Sequence, residues 1–228
     1  MWHSYWRTRV CKTKTNKIGG KSLLICGIVG YSCKDPKQNH IQILQDIIAE
    51  SSIRGIHSFG YSFVKDKKLI TRKYHDLKEV KLPLTNKLIY HNRYSTSGDF
   101  KNHKNNQPIH IDNMSLVFNG VIDMRTKKQM ENAYNIFMET DNDGEILIQR
   151  CGNDKKLIER FVNDIRGSFA GIILDEKENL FVIRNKKRPC WILEYDNAKF
   201  VASTRDIFKR VDNAFMPKPL EANKIYEI

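Results

Sequence analysis

The run from residue 25 to 32 is apolar and β-branched, with glycines at 27 and 30, a pattern that fits a buried strand approached closely by another backbone. Cys26 therefore stands at a strand start. Further β-rich runs lie at 88–91 and 116–118, and others follow late in the chain at 168–174, 180–184, 191–194 and 200–203. Residues 60–64 and 68–71 flank Lys65-Asp66-Lys67 as a hairpin. Apolar spacing predicts a helix through Ile41, Leu44, Ile47 and Ile48, and others at 132–137, 143–150 and 155–165. Strands dominate the two ends of the chain and helices lie between them, which is the order of an α+β protein with packed sheets.

A chain of 228 residues is long enough for one large domain with a proper core. No run approaches the roughly eighteen consecutive apolar residues that a membrane helix needs. The five cysteines are an odd count without a CxxC pair, so neither a disulfide framework nor a zinc site is expected, and a reducing cytoplasm fits best. The net charge of +13 attracts polyanions, but the basic residues are scattered over 65–81, 101–104 and 186–188, with acidic residues among the first group. A solvated basic surface is the plainer reading, and nucleic acid is not expected as a partner. Residues 1–25 differ from the rest: Arg7, Arg9, Lys12, Lys14, Lys17 and Lys21 occur with no acidic residue, and Leu23-Leu24-Ile25 is too short for a secretory signal. They read as a basic extension or propeptide ahead of a domain spanning 26–228.

Five polar motifs occur at separations that no local secondary structure requires. They are Cys26-Gly27-Ile28-Val29-Gly30, Arg54-Gly55, His91-Asn92-Arg93-Tyr94-Ser95-Thr96-Ser97-Gly98, Phe118-Asn119-Gly120, and the segment 140–145 holding Asp141, Asp143 and Glu145. In this order they resemble the class II glutamine amidotransferase domain, a member of the N-terminal-nucleophile (Ntn) hydrolases, from Cys26 to about the chain end. The resemblance implies a four-layer αββα sandwich of two packed antiparallel sheets.

It also implies roles. Taken singly, each residue has a bland explanation: a buried cysteine packs as a small hydrophobe, Asn-Gly is a common hairpin turn, and an arginine is most often at the surface. Taken together, the motifs make Cys26 the nucleophile, with its own α-amine as general base once it is the first residue; the reference pKa of such an amine is about 8. Asn119 and Gly120 would supply the oxyanion donors. Arg54 would orient the chain near Cys26. Arg93 would take the glutamine α-carboxylate in bidentate fashion, with Thr96 and Gly98 adding hydrogen bonds. Asp143 would hold the substrate ammonium, with Asp141 as the alternative register. Tyr94, Ser97 and Gln107 stand where some relatives carry Trp, His and His.

The expected reaction is hydrolysis of the glutamine side-chain amide to glutamate and ammonia through a Cys26 thioester, with no metal or organic cofactor. Cys26 is preceded by 25 residues, so cleavage after Ile25 is expected to switch the site on. The chain ends at Ile228 without an acceptor domain, so a separate ammonia-accepting synthase subunit is the expected partner, with the basic surface as its docking face. Two other readings are a non-hydrolysing module that binds glutamine or protein, and a basic nucleic-acid-binding protein.

Overall fold

The computed structural model describes residues 26–94 and 100–228. Twelve strands form two antiparallel sheets among these residues. The larger holds β1 (Gly27–Cys33), β2 (Ser58–Lys65), β3 (Lys68–Tyr74), β4 (Lys87–Arg93), β9 (Trp191–Tyr195), β10 (Ala198–Ala202) and β11 (Lys218–Pro219), in the order β11-β9-β10-β1-β4-β2-β3. The smaller holds β5 (Ile109–Ile111), β6 (Met114–Val121), β7 (Ser168–Asp175), β8 (Leu180–Arg184) and β12 (Ile225–Glu227), in the order β12-β8-β7-β6-β5. Helices α1 (Gln38–Ser51) and α5 (Arg205–Val211) cover the outer face of the first sheet. The second is covered by α2 (Lys127–Tyr134), α3 (Glu145–Cys151) and α4 (Lys155–Asp164). The arrangement is the expected αββα sandwich. Among the described residues no helix is long and apolar enough to cross a membrane.

Three cores separate the four layers, and strand alternation explains each. In β1, Val29, Tyr31 and Cys33 face α1 and α5, whereas Ile28 faces the other sheet. Both faces are thus buried, which is why this strand reads as an almost unbroken apolar run. Ile89, Val117, Ile172 and Val201 join Ile28 in the seam between the sheets. Leu116, Phe118 and Phe169 point outward into the core under α2, α3 and α4.

Two local features had different legibility. The β2–β3 hairpin closes through Asp66 and Lys67, whose φ angles of 51° and 59° match the primed turn that a tight two-residue loop requires. The helix expected at 132–137 instead spans Lys127–Tyr134. Gln129 Oε1 accepts the Thr126 backbone N–H at 3.0 Å and fixes its start, and Asn135 ends it in the left-handed conformation at φ 52°.

Ile172 is fully buried in the inter-sheet seam. Ile172→Ala is therefore expected to destabilise the protein by about 3 kcal/mol, read as a lower urea midpoint with an unchanged slope.

Candidate active site

The pairing of β1 with β4 puts Gly27 opposite Asn92, so Cys26 falls beside the end of β4. There its Sγ donates to the Tyr94 carbonyl at 3.7 Å, and Arg54 Nε donates to the Cys26 carbonyl at 3.5 Å. The Arg54-Gly55 segment is locked against the same place. His57 N donates to the Arg93 carbonyl at 3.0 Å, and Asn92 Nδ2 donates to the Gly55 carbonyl at 3.3 Å. A Cβ on Gly55 would overlap the Arg93 carbonyl carbon and the Tyr94 nitrogen, so only glycine lets the two segments close.

Arg93 is nearly buried and shares the inner face of β4 with Ile89 and His91. Its Nη1 donates to the Asn105 carbonyl at 3.2 Å and to Asn106 Oδ1 at 2.6 Å. The 100–107 segment is tied down further by Lys73 Nζ, which donates to the His103 carbonyl at 2.9 Å, and by Asn106 Nδ2, which donates to the Phe100 carbonyl at 2.7 Å. Thr96 and Gly98 lie outside the described residues.

Asn119 belongs to the opposite sheet, but alternation along β6 puts it on the same face as Val117, turned toward the seam. Two contacts fix the direction in which β6 crosses the first sheet. Ser62 and Ser115 hydroxyls meet at 2.7 Å, and Gln107 Oε1 accepts the Phe118 N–H at 2.6 Å while the Gln107 backbone abuts Gly60. Gly60 pairs with His91, and Ser62 with Ile89. Moving along β6 from 115 to 118 therefore means moving along β4 from 89 toward 91, and residues 119–120 emerge at the Cys26 and Arg93 end. The Asn119 side chain is buried and makes no hydrogen bond to another described residue. Gly120 has φ 150°, and a Cβ there would overlap the Ser168 carbonyl, so no other residue fits.

Asp143 lies just beyond. Its Oδ2 accepts the N–H groups of Ile122 and Asp123 at 2.6 and 3.0 Å. Burial pushes its carboxyl above the ordinary range, with those backbone donors opposing. Asp141 Oδ2 instead accepts Asn105 Nδ2 at 3.1 Å, which links it to the segment that holds Arg93. Glu145, fully buried, clamps the intervening turn: its oxygens accept the Glu139 and Thr140 N–H groups, the Thr140 hydroxyl and Gln149 Nε2 at 2.6–2.7 Å.

The electrostatics of the site are set by desolvation. Burial pushes the Cys26 thiol up, while positive charge on Arg93 and Arg54 pulls the other way. Burial also pushes Lys73 down to about 8. His91 is fully buried with neither ring nitrogen hydrogen-bonded among the described residues; burial, helped by Arg93 and Lys73, pushes it down to about 3. Asn105 and Lys73 of this network were not singled out from sequence, and His91 and Asn92 stood in the motif that holds Arg93 without a role of their own. The roles of Asn105 and Lys73 come from partners elsewhere in the chain, and no local pattern marks them.

The site thus gathers a thiol, two arginines and a buried carboxamide at one end of the seam, with two carboxylates tied in beside them. The profile of a family described as a glutamine amidotransferase domain matches residues 91–210. Among curated proteins, the glutamine--fructose-6-phosphate aminotransferase of Clostridium tetani is 26% identical over 232 aligned residues, covering 89% of this chain and 37% of the relative. The chain therefore spans little more than a third of that relative's length. Among solved structures, the glutamine phosphoribosylpyrophosphate amidotransferase of B. subtilis, complexed with ADP and GMP, matches with a TM-score of 0.67 at 22% identity, covering 89% of this chain and 47% of that one. A structure described as the allosteric regulatory enzyme of purine biosynthesis matches with a TM-score of 0.72 at 22% identity and the same coverage.

The His91 environment predicts a pH dependence. The unfolded chain takes up a proton near pH 6.5, whereas the folded chain refuses it until about 3. Stability is then complete above about 6.5 and falls with decreasing pH, by at most about 1.4 kcal/mol per unit from this group. Urea denaturation at a series of pH values should show a shallower acid decline in His91→Gln than in the wild type.

Proposed function

The chain belongs to the class II glutamine amidotransferase domain family, and we propose that its site is a glutaminase centre with Cys26 as nucleophile. The observation that carries this reading is the convergence of Cys26, Arg93 and Asn119 at one end of the inter-sheet seam, drawn from two sheets and three distant motifs.

In this reading residues 1–25 are removed, which frees the Cys26 α-amine. The amine takes the thiol proton as sulfur attacks the glutamine carboxamide carbon. The Asn119 side chain and the Gly120 N–H receive the negative oxygen, which explains why a buried carboxamide stands without a hydrogen bond to another described residue. Collapse breaks the C–N bond, the proton passes to the departing nitrogen, and ammonia leaves. Water then cleaves the γ-glutamyl thioester to glutamate and restores the thiol. Arg93 meets the substrate α-carboxylate, with Thr96 and Gly98 as companions, and Asp143 or Asp141 meets the ammonium. Arg54 holds the Cys26 carbonyl and so positions the nucleophile. The ammonia goes to a synthase partner. A reducing cytoplasm suits the chemistry, because it keeps the Cys26 thiol available.

A second reading, a glutamine-binding module without turnover, is favoured by the raised Cys26 thiol and its hydrogen bond to the Tyr94 carbonyl. Kinetics separate the two. A chain beginning at Cys26 is expected to release ammonia from glutamine, and Cys26→Ala to release none. Asn119→Ala should lower kcat by roughly 10²–10³-fold with a smaller change in KM, since the donor acts on charge that develops only in the transition state. A folded chain that binds glutamine without turnover would select the second reading. The two carboxylates are distinguished in the same assay: of Asp143→Asn and Asp141→Asn, the one that removes the ammonium partner should raise KM by about tenfold or more.

A further inference from the structure

A cleft of about 1020 Å³ opens where the segment after β6 meets the segment between α4 and β7, with α2, α3 and α4 forming its floor. It begins at Val121, next to Gly120, and its wall includes Ser168, whose carbonyl packs against Gly120. It therefore adjoins the candidate oxyanion donor on the side away from the seam.

Its charge is unbalanced. Arg125, Arg150, Arg160, Arg166 and Lys187 line it, against Asp123 and Asp164. The two carboxylates are already committed: Arg125 Nη2 lies 2.6 Å from Asp123 Oδ2, and Arg160 Nε lies 3.6 Å from Asp164 Oδ2. Arg150 donates to the Tyr134 carbonyl at 3.1 Å and Lys187 to the Arg166 carbonyl, so neither charge is neutralised. Among the described residues, Arg150, Arg166 and Lys187 meet no carboxylate. Apolar side chains stand exposed on the same walls: Val121 at 37%, Leu157 at 47% and Met124 at 89%.

We propose that this cleft is the docking site for an acidic segment of a partner protein. Uncompensated cations beside exposed apolar side chains match a segment carrying carboxylates and apolar anchors together. The volume stands at the upper end of what small ligands occupy, roughly 300–1000 Å³. Nucleic acid fits less well: base stacking needs open aromatic faces, and Tyr134 and Phe161 are partly buried against the core, with the Arg125 guanidinium lying over the Tyr134 ring. Residues 1–25 carry six basic side chains and no acidic one, so they match the cleft in sign and are repelled by it. Docking here deepens the glutaminase reading, because it sets the partner against the strand end that holds the candidate oxyanion donors; the binding itself does not require that reading.

The test is fluorescence anisotropy with a labelled twelve-residue peptide of Glu, Asp and Leu, in low salt and without glutamine, alongside a single-stranded oligonucleotide of equal length. Arg150→Glu with Arg166→Glu should weaken peptide binding about tenfold or more. Lys65→Glu with Lys68→Glu, the same charge change on the β2–β3 hairpin, should weaken it by less than about twofold. Equal losses in both pairs would overturn the proposal in favour of a diffuse field. Absence of peptide binding, or cleft-dependent binding of the oligonucleotide alone, would overturn it too. Ammonia release is assayed separately: if the glutaminase reading holds, both pairs retain it within about twofold, so failure of either idea is visible without the other.

Discussion

The register of β1 against β4 is the constraint on which the candidate site rests. With Gly27 opposite Asn92, the residue before the strand arrives beside Arg93 and Tyr94, and the Arg54-Gly55 turn closes over both. A shift of one residue would turn every β1 side chain to the wrong face. It would carry Cys26 away from the Tyr94 carbonyl and expose Val29 and Tyr31 to the inter-sheet seam in place of Ile28. The burial of both faces of β1 is thus what makes the position of a single thiol reproducible.

The second sheet supplies what the first lacks. A thiol and an arginine from one sheet become a site only when a carboxamide arrives from the other, and the crossing of β6 over β2 and β4 brings it. Ser62 with Ser115 and Gln107 with Phe118 act as two pins, and two pins are enough to set the direction of a strand. The polar side chains on this face would be costly to bury singly. They are tolerated because most bond one another or the 100–107 segment. His91 shows the cost of not doing so, since a ring without hydrogen-bond partners in the described residues survives only in its neutral form.

Much of this was readable in advance. The long strands announce themselves because β-branched runs buried on both faces leave few alternatives, and the β2–β3 hairpin because its turn chemistry is local. Short strands such as β5, β11 and β12 carry two or three residues each and no pattern of that length is distinctive. Helix α2 was misplaced because only Met130 of its eight residues is buried, so its apolar period is nearly silent and its limits come from Thr126, Gln129 and Asn135. At the site, motif order led to Cys26, Arg54, Arg93, Asn119 and Gly120, and the structure draws them to one end of the seam. Asn105 and Lys73 escaped notice because a polar side chain bonded to a distant partner leaves no trace in its own neighbourhood of sequence.

The three cores of the sandwich are packed separately, and the outer one beneath α2, α3 and α4 shares no residue with the seam between the sheets. Substitutions on those helices are therefore insulated from the strand register that positions Cys26. A lineage built on this plan is free to rewrite the exposed side of its outer helices, exchanging one set of allegiances for another, so long as the buried Glu145 that clamps the turn holding Asp141 and Asp143 is kept.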